Sequence, residues 1–261
     1  MRKAQNSVCV GAALLLRCAA AQADDDVSVT PYRPSVSTPA QLSAPGWIEG
    51  EFGLQRVHGG DSARSDSLPY TIKLAFTPDW GVRIGGDAYV RNTDFDGNRT
   101  SGVGDTSIVL KRRFAMDDGR ARNAAFGLEA GANLPTAKSG LGSGKTDYSI
   151  NGIYSADFGD WHTDLNLVGA RLGQVEADQS RWQTTWAAAL SRPLSDRLGI
   201  VGEFSGTYQR GAATTSQFLA AASFSVSKRA VVDFGASAGL SAASPDWSAF
   251  AGMTLLLCRL F

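Results

Sequence analysis

Along most of the chain, apolar and polar side chains alternate with a period of two. In Trp47-Ile48-Glu49-Gly50-Glu51-Phe52-Gly53-Leu54-Gln55 the even positions are apolar or small, while Glu49, Glu51 and Gln55 are polar. Neighbouring side chains on a strand point to opposite faces, so this segment predicts a strand with one oily and one wet face. Val82, Ile84, Gly86, Ala88 and Val90 alternate with Arg83, Asp87, Tyr89 and Arg91 in the same way, as do Leu198, Ile200, Gly202 and Phe204 with Glu203 and Ser205. Twelve strands are predicted, beginning near Gly46, Leu68, Gly81, Val103, Asn123, Thr146, Trp161, Arg181, Arg197, Thr215, Ala230 and Asp246. Most run about ten residues or a little longer, the length that crosses a bilayer at a tilt.

Alternation alone fits a soluble β-sandwich as well. The connections separate the two. After the first, third, fifth and seventh strands they are long and polar (HGGDSARSDS, TDFDGNRTSG, PTAKSGLGSGK, QVEADQS). On the other side they are mostly tight, as at Gly159-Asp160 and Ser227-Lys228-Arg229. Outer-membrane barrels have long external loops and short periplasmic turns. Aromatics cluster accordingly: Trp47, Phe76, Trp80, Phe114, Phe158, Trp161 and Phe261 near the short turns, Tyr148, Trp182, Tyr208 and Trp247 near the long loops. Two interfacial girdles are predicted, with Trp186 the mid-strand exception. A chain ending in Phe261 also resembles the closing strand by which such barrels engage the barrel-assembly machinery. Arg259 departs from it, at a cost of about 0–1 kcal/mol for a cation near the interface.

Residues 1–23 combine Arg2 and Lys3, an apolar stretch from Val8 to Leu16 and Ala21-Gln22-Ala23, the pattern of an export signal peptide, although Arg17 is unusual there. Asp24 to Pro45 holds four prolines and no periodicity. It reads as an extended periplasmic tail, or as a plug if it enters the barrel: about 25 Å of reach for 22 flexible residues matches the apolar band. No later window is apolar enough for a membrane helix. Glycine, 29 of 261 residues, suits an all-β chain. Removing the three basic residues of the leader leaves 25 − 3 = 22 basic against 25 acidic groups, a balance that excludes nucleic acid as the expected partner. With Cys258 the one cysteine after residue 23, and His58 and His162 the only histidines, no metal site or cofactor is expected.

Assigning the wet face to the lumen makes Lys73, Arg83, Asp87, Arg91, Lys111, Arg113, Glu129, Asp147, Asp164, Glu203 and Asp233 the candidate lumen-lining residues. The basic ones fall on strands two to four and most acidic ones on strands five to eleven. Two outcomes follow: a transverse field in a constriction, or charges neutralising one another in a nearly filled barrel. Twelve strands lie between the eight that side chains can fill and the sixteen of open porins, so a narrow or closed pore is expected. Gly140-Leu141-Gly142-Ser143-Gly144-Lys145-Thr146 imitates a phosphate loop but has Ser139 where the motif needs glycine and leads into a strand, not a helix. No nucleophile is placed to face His162, since Thr163 points to the opposite side. No catalytic residues are expected, and the chain reads as a non-enzyme.

Gly102-Val103-Gly104-Asp105-Thr106-Ser107 running into Lys111-Arg112-Arg113-Phe114, and Leu134-Pro135-Thr136 followed by Leu141-Gly142-Ser143-Gly144, resemble the bacterial outer-membrane family named for the MetA pathway of phenol degradation. The likeness is best over residues 102–173. It implies a transporter. The expectation is an all-β protein: a single antiparallel transmembrane β-barrel of about twelve strands over residues 46–261, in the bacterial outer membrane. It would contact outer-membrane lipids and pass small organic solutes, by the resemblance aromatic or hydrophobic ones. The alternative is a structural barrel with a closed lumen that binds a partner through its external loops.

Overall fold

Within hydrocarbon, backbone N–H and C=O groups have no water to bond, so strands are stable there only as a ladder closed on itself. The alternating segments of this chain form such a ladder. The computed structural model describes residues 27–116 and 122–261; the expected leader, residues 1–23, lies outside them. The strands are β1 (Trp47–His58), β2 (Arg64–Ala75), β3 (Trp80–Thr93), β4 (Arg99–Gly102), β5 (Thr106–Ala115), β6 (Arg122–Leu134), β7 (Asp147–Phe158), β8 (Trp161–Arg171), β9 (Trp182–Pro193), β10 (Leu198–Gln209), β11 (Thr215–Ser227), β12 (Ala230–Gly239) and β13 (Trp247–Arg259). Apart from β4 and β5, which both pair with β3, each pairs antiparallel with its sequence neighbours, and β1 closes the circle against β13. The short β4 pairs with the end of β3 and β5 with its start, so β4, the joint Val103-Gly104-Asp105 and β5 form one stave. Thirteen segments thus make a barrel of twelve staves.

The two faces separate as the alternation requires. Leu54 is 62% exposed and Phe234 60%, on the outside, whereas Glu49 and Thr254 are 0% exposed, facing in. At the short-turn end, Phe158 pairs with Trp161 across Gly159-Asp160. Gly159 has φ +63°, as a two-residue hairpin turn demands. Mid-strand, Trp186 lies outward over Gly206, its register partner: a Cβ there would stand 3.1 Å from the indole. The exceptional aromatic covers a bare backbone in the lipid-facing wall.

Three departures from the sequence reading have local causes. β2 begins at Arg64, not near Leu68, because Arg64-Ser65-Asp66-Ser67 continues the ladder with β1 and β3; polarity on both faces hides it, and the first external loop shrinks to residues 59–63. Trp47, assigned to the lower girdle, is 2% exposed, with the Arg229 guanidinium 5.2 Å from its ring. Around Pro69, which has no N–H to donate, pairing with β1 skips from Phe52–Tyr70 to Gln55–Ser67. On its other side Ser67 pairs with Val90 and Pro69 with Asp87, so β3 carries one extra residue. That β-bulge inverts the alternation of β3 beyond Asp87, turning Val90 inward, where it is buried, and Arg91 outward. Arg91 is therefore on the outer wall and not in the lumen.

Candidate functional site: the lumen and the segment inside it

Residues 27–45 lie inside the barrel, across its periplasmic half, and are held by inward side chains of most of the wall. The Thr30 N–H donates to both oxygens of Glu49 at 3.2 Å, and the Tyr32 N–H to Glu51 at 2.7 Å. Lys73 binds Glu51 at 2.7 Å and Glu49 at 3.1 Å, and donates to the Thr30 carbonyl. Arg33 grips Asp233 of β12 through two nitrogens at 3.1 and 2.9 Å. Glu203 of β10 accepts from Val36 N at 3.1 Å, Ser37 N at 2.8 Å and Ser37 Oγ at 2.7 Å. Asn166 of β8 accepts from Thr38 N and donates back to the Thr38 carbonyl, and the Ala40 N–H donates to Ser155 of β7 at 2.7 Å.

A proline-rich segment without strand pairing would leave its amides unsatisfied in a closed space, which is costly. Inward carboxylates and amides take the place of a ladder. Tyr32 is the hub: its ring stands between the ammonium groups of Lys73 at 4.0 Å and Lys111 at 4.2 Å, while its hydroxyl accepts from Lys111 at 3.0 Å and donates to the Gln41 carbonyl at 2.8 Å. Lys111 also donates to the Pro39 carbonyl. Ala40 packs on Ala125 and Ile153, and Gly46 N, donating to Ala75 O at 2.9 Å, leads the chain into β1.

The candidate charges meet locally. Arg83 reaches Glu129 at 3.2 Å, Lys111 lies 3.7 Å from Glu129, and Asn151 links Glu129 to Asn166. Asp164 accepts from Ser155 and lies 3.2 Å from His162 Nε2; Asp157 is 2.5 Å from His162 Nδ1. The Ser155 hydroxyl is thus bonded to a carboxylate and not to the imidazole, unlike an activated nucleophile. Asp87, half-buried, and Asp147, which accepts from Gly173 N at 2.8 Å, sit towards the outer mouth. Arg113 borders the segment at its periplasmic edge beside Leu42 and Pro45. Ser155, Asn151 and Asn166 escaped the sequence reading, since small or amide side chains on a wet face look alike whether they face water or a backbone; Tyr32, Arg33 and Ser37 escaped it because the segment that carries them has no periodicity to assign a face. Between the segment and β8–β11 remains a cavity of about 430 Å³, bordered by Arg33, Pro34, His162, Asp164, Ser191 and Val201.

A closed barrel with an apolar outer wall, a polar filled interior, short turns at one end and longer loops at the other is an outer-membrane β-barrel, located in the bacterial outer membrane. Sequence comparison places it further: the chain belongs to the MetA-pathway of phenol degradation family, whose model matches residues 74–257. No curated protein matches it significantly. Among solved structures it is similar to an outer membrane channel from Pseudomonas putida F1, with TM-score 0.65 and 12% identity over 87% of this chain and 99% of that one. It is also similar to the NanC porin, with TM-score 0.55 and 7% identity over 80% and 98%. For the CymD monoaromatic hydrocarbon channel the values are 0.50 and 8%, over 84% and 90%. At these identities the shared property is architecture. The two stretches that carried the family resemblance meet in space, where Asp105 accepts from Ser143 N at 2.7 Å, Ser143 Oγ at 2.9 Å and Ala137 N at 3.0 Å.

Proposed function

We propose that the protein is a channel for small organic solutes, of the aromatic or hydrophobic class, with residues 27–45 as its removable plug. The observation that carries this reading is how the segment is held. Side chains hold most of it, and among the described residues its backbone bonds to the wall only at its two ends, from the Val29 N–H to the Lys228 carbonyl at 2.9 Å in the β11–β12 turn and at the Pro45–Ala75 bridge, so it can withdraw without opening the wall. The cavity beside it falls in the range of about 300–1,000 Å³ typical of small-molecule sites. The family's name and the similarity to a monoaromatic hydrocarbon channel support the solute class. Outer-membrane lipids contact the apolar wall, and the strand ending in Phe261 is the element that would engage the assembly machinery.

The test is conductance in planar bilayers together with toluene entry into liposomes, for the full barrel and for a deletion of residues 27–45. The deletion is expected to raise both several-fold. Unchanged conductance and unchanged toluene entry in a correctly folded deletion variant would reject the plug, and a barrel closed in both forms would point to the loop-binding alternative.

A further inference from the structure

The bulge in β3 has a consequence on the outer wall. Directly across the strands, Arg56 of β1 pairs with Asp66 of β2, and Asp66 with Arg91 of β3. One row higher, Arg64 faces Thr93, and Thr93 pairs with Arg99 of β4. All share the outward parity of Leu54 and Leu68, so four guanidinium groups stand on one outer face. Asp66, bonded by Arg56 at 2.6 Å and Arg64 at 2.5 Å, is the carboxylate among them; Asp246, higher up, is taken by His58 at 3.1 Å. Below the arginines the wall is apolar, and a groove of about 710 Å³ runs from Arg56, Arg64 and Arg91 down to Leu54, Leu68 and Ala251.

The height of this patch follows from the strands. Arg56 is nine residues beyond Trp47 and Arg91 eleven beyond Trp80. At a rise of about 3.3 Å per residue and a tilt of about 40°, they stand roughly 23–28 Å above the periplasmic ends, the height of the apolar band. The guanidinium cluster therefore lies at the outer-leaflet headgroups. Arginine is the side chain suited to bidentate phosphate binding, and a row of them above an oily groove matches an amphiphile with phosphate on its head and acyl chains below. We infer that Arg56, Arg64, Arg91 and Arg99 form a binding site for a phosphorylated glycolipid of the outer leaflet.

The experiment is native mass spectrometry of the full, detergent-folded barrel titrated with diphosphorylated lipid A, with folding checked by heat-modifiable migration. The wild type should retain one lipid, and Arg56→Gln with Arg91→Gln should weaken retention about tenfold or more. Arg91→Gln alone, an exposed side chain whose described hydrogen bond is to Tyr89, should weaken it about threefold, which keeps the test valid if the double variant misfolds. Retention unaffected by Arg91→Gln would overturn the site. Equal retention of the same lipid stripped of both phosphates would overturn it too, and displacement by millimolar inorganic phosphate would show a free-anion site in place of a lipid site.

Discussion

Glu203 shows how much one side chain contributes to closing the lumen. Its carboxylate, 1% exposed, accepts three hydrogen bonds from Val36 and Ser37. Hydrogen bonds to a charged group contribute about 1.5–3 kcal/mol each, so Glu203→Ala is expected to raise the open fraction at least tenfold, read as open probability in bilayers. The wall ladder does not use this side chain, and the heat-modifiable transition of the barrel should hardly move. Asp105 acts likewise on the external loop at residues 135–146. Partial burial works against its carboxylate form, but the donors from Ser143, Ala137 and Asn133 outweigh that and hold its pKa below the ordinary 3.8. A depressed acid stabilises the fold above its unfolded value and loses that contribution as pH falls through the native value. Hydrogen exchange at Ala137 and Ser143 should therefore be steady from neutral pH to about pH 4 once corrected for intrinsic rates, and rise relative to that baseline only below it. Asp105→Asn should remove the acid-dependent step. Asp105 belongs to a stretch that resembled a family, but its role as an acceptor could not be read from spacing, because its donors lie in a loop 32 and 38 residues on.

Strand starts at Trp161, Thr215 and Ala230 stand where alternation put them, and most others lie within a residue or two. A tilted strand between lipid and a polar lumen has no freedom to place an oily residue on the wrong side, so the pattern is strict. It fails where that contrast ends. Above the apolar band β2 is polar on both faces, and at Ala88-Tyr89 one extra residue inverts the order while leaving the composition unchanged. The inverted order makes a labelling prediction for the purified, detergent-folded barrel: with Arg91→Cys a bulky maleimide should react rapidly, and Val90→Cys, facing inward, should be at least tenfold slower. Similar rates would refute the bulge. Towards the outer end of β10, Gly206→Val would push a side chain to 2.7 Å from the Thr215 carbonyl oxygen as well as into Trp186. A cost of about 1–3 kcal/mol in barrel stability is expected, measured as the shift of a urea-unfolding midpoint.

Over the whole molecule, charge is arranged in short circuits: Lys73 with Glu49 and Glu51, Arg83 and Lys111 with Glu129, Arg33 with Asp233. Charges expected on two walls of opposite sign meet locally instead, with Glu49 and Glu51 beside Lys73 and Arg91 on the outer wall, and nothing in the periodicity reveals that Arg33 would be brought across the lumen. With residues 27–45 removed, Glu49, Glu51, Glu203 and Asp233 lose partners, so the open pore should prefer cations. Adding Arg83→Ala and Arg113→Ala should strengthen that preference, read as reversal potential in a salt gradient, whereas Glu129→Ala with Glu203→Ala should weaken it. The partnership of Arg33 with Asp233 also spans 200 residues of chain, and it orders events in time. Contacts so distant in sequence form slowly, and the seam between β1 and β13 is the slowest of the strand pairings to close. Until it does, β10 and β12 do not surround the segment, and the amides of Val36 and Ser37 have no acceptors. The nascent pore is therefore expected to be transiently leaky during insertion, and in a refolding time course those two amides should gain exchange protection in a phase later than the strands, after the first and last strands have met.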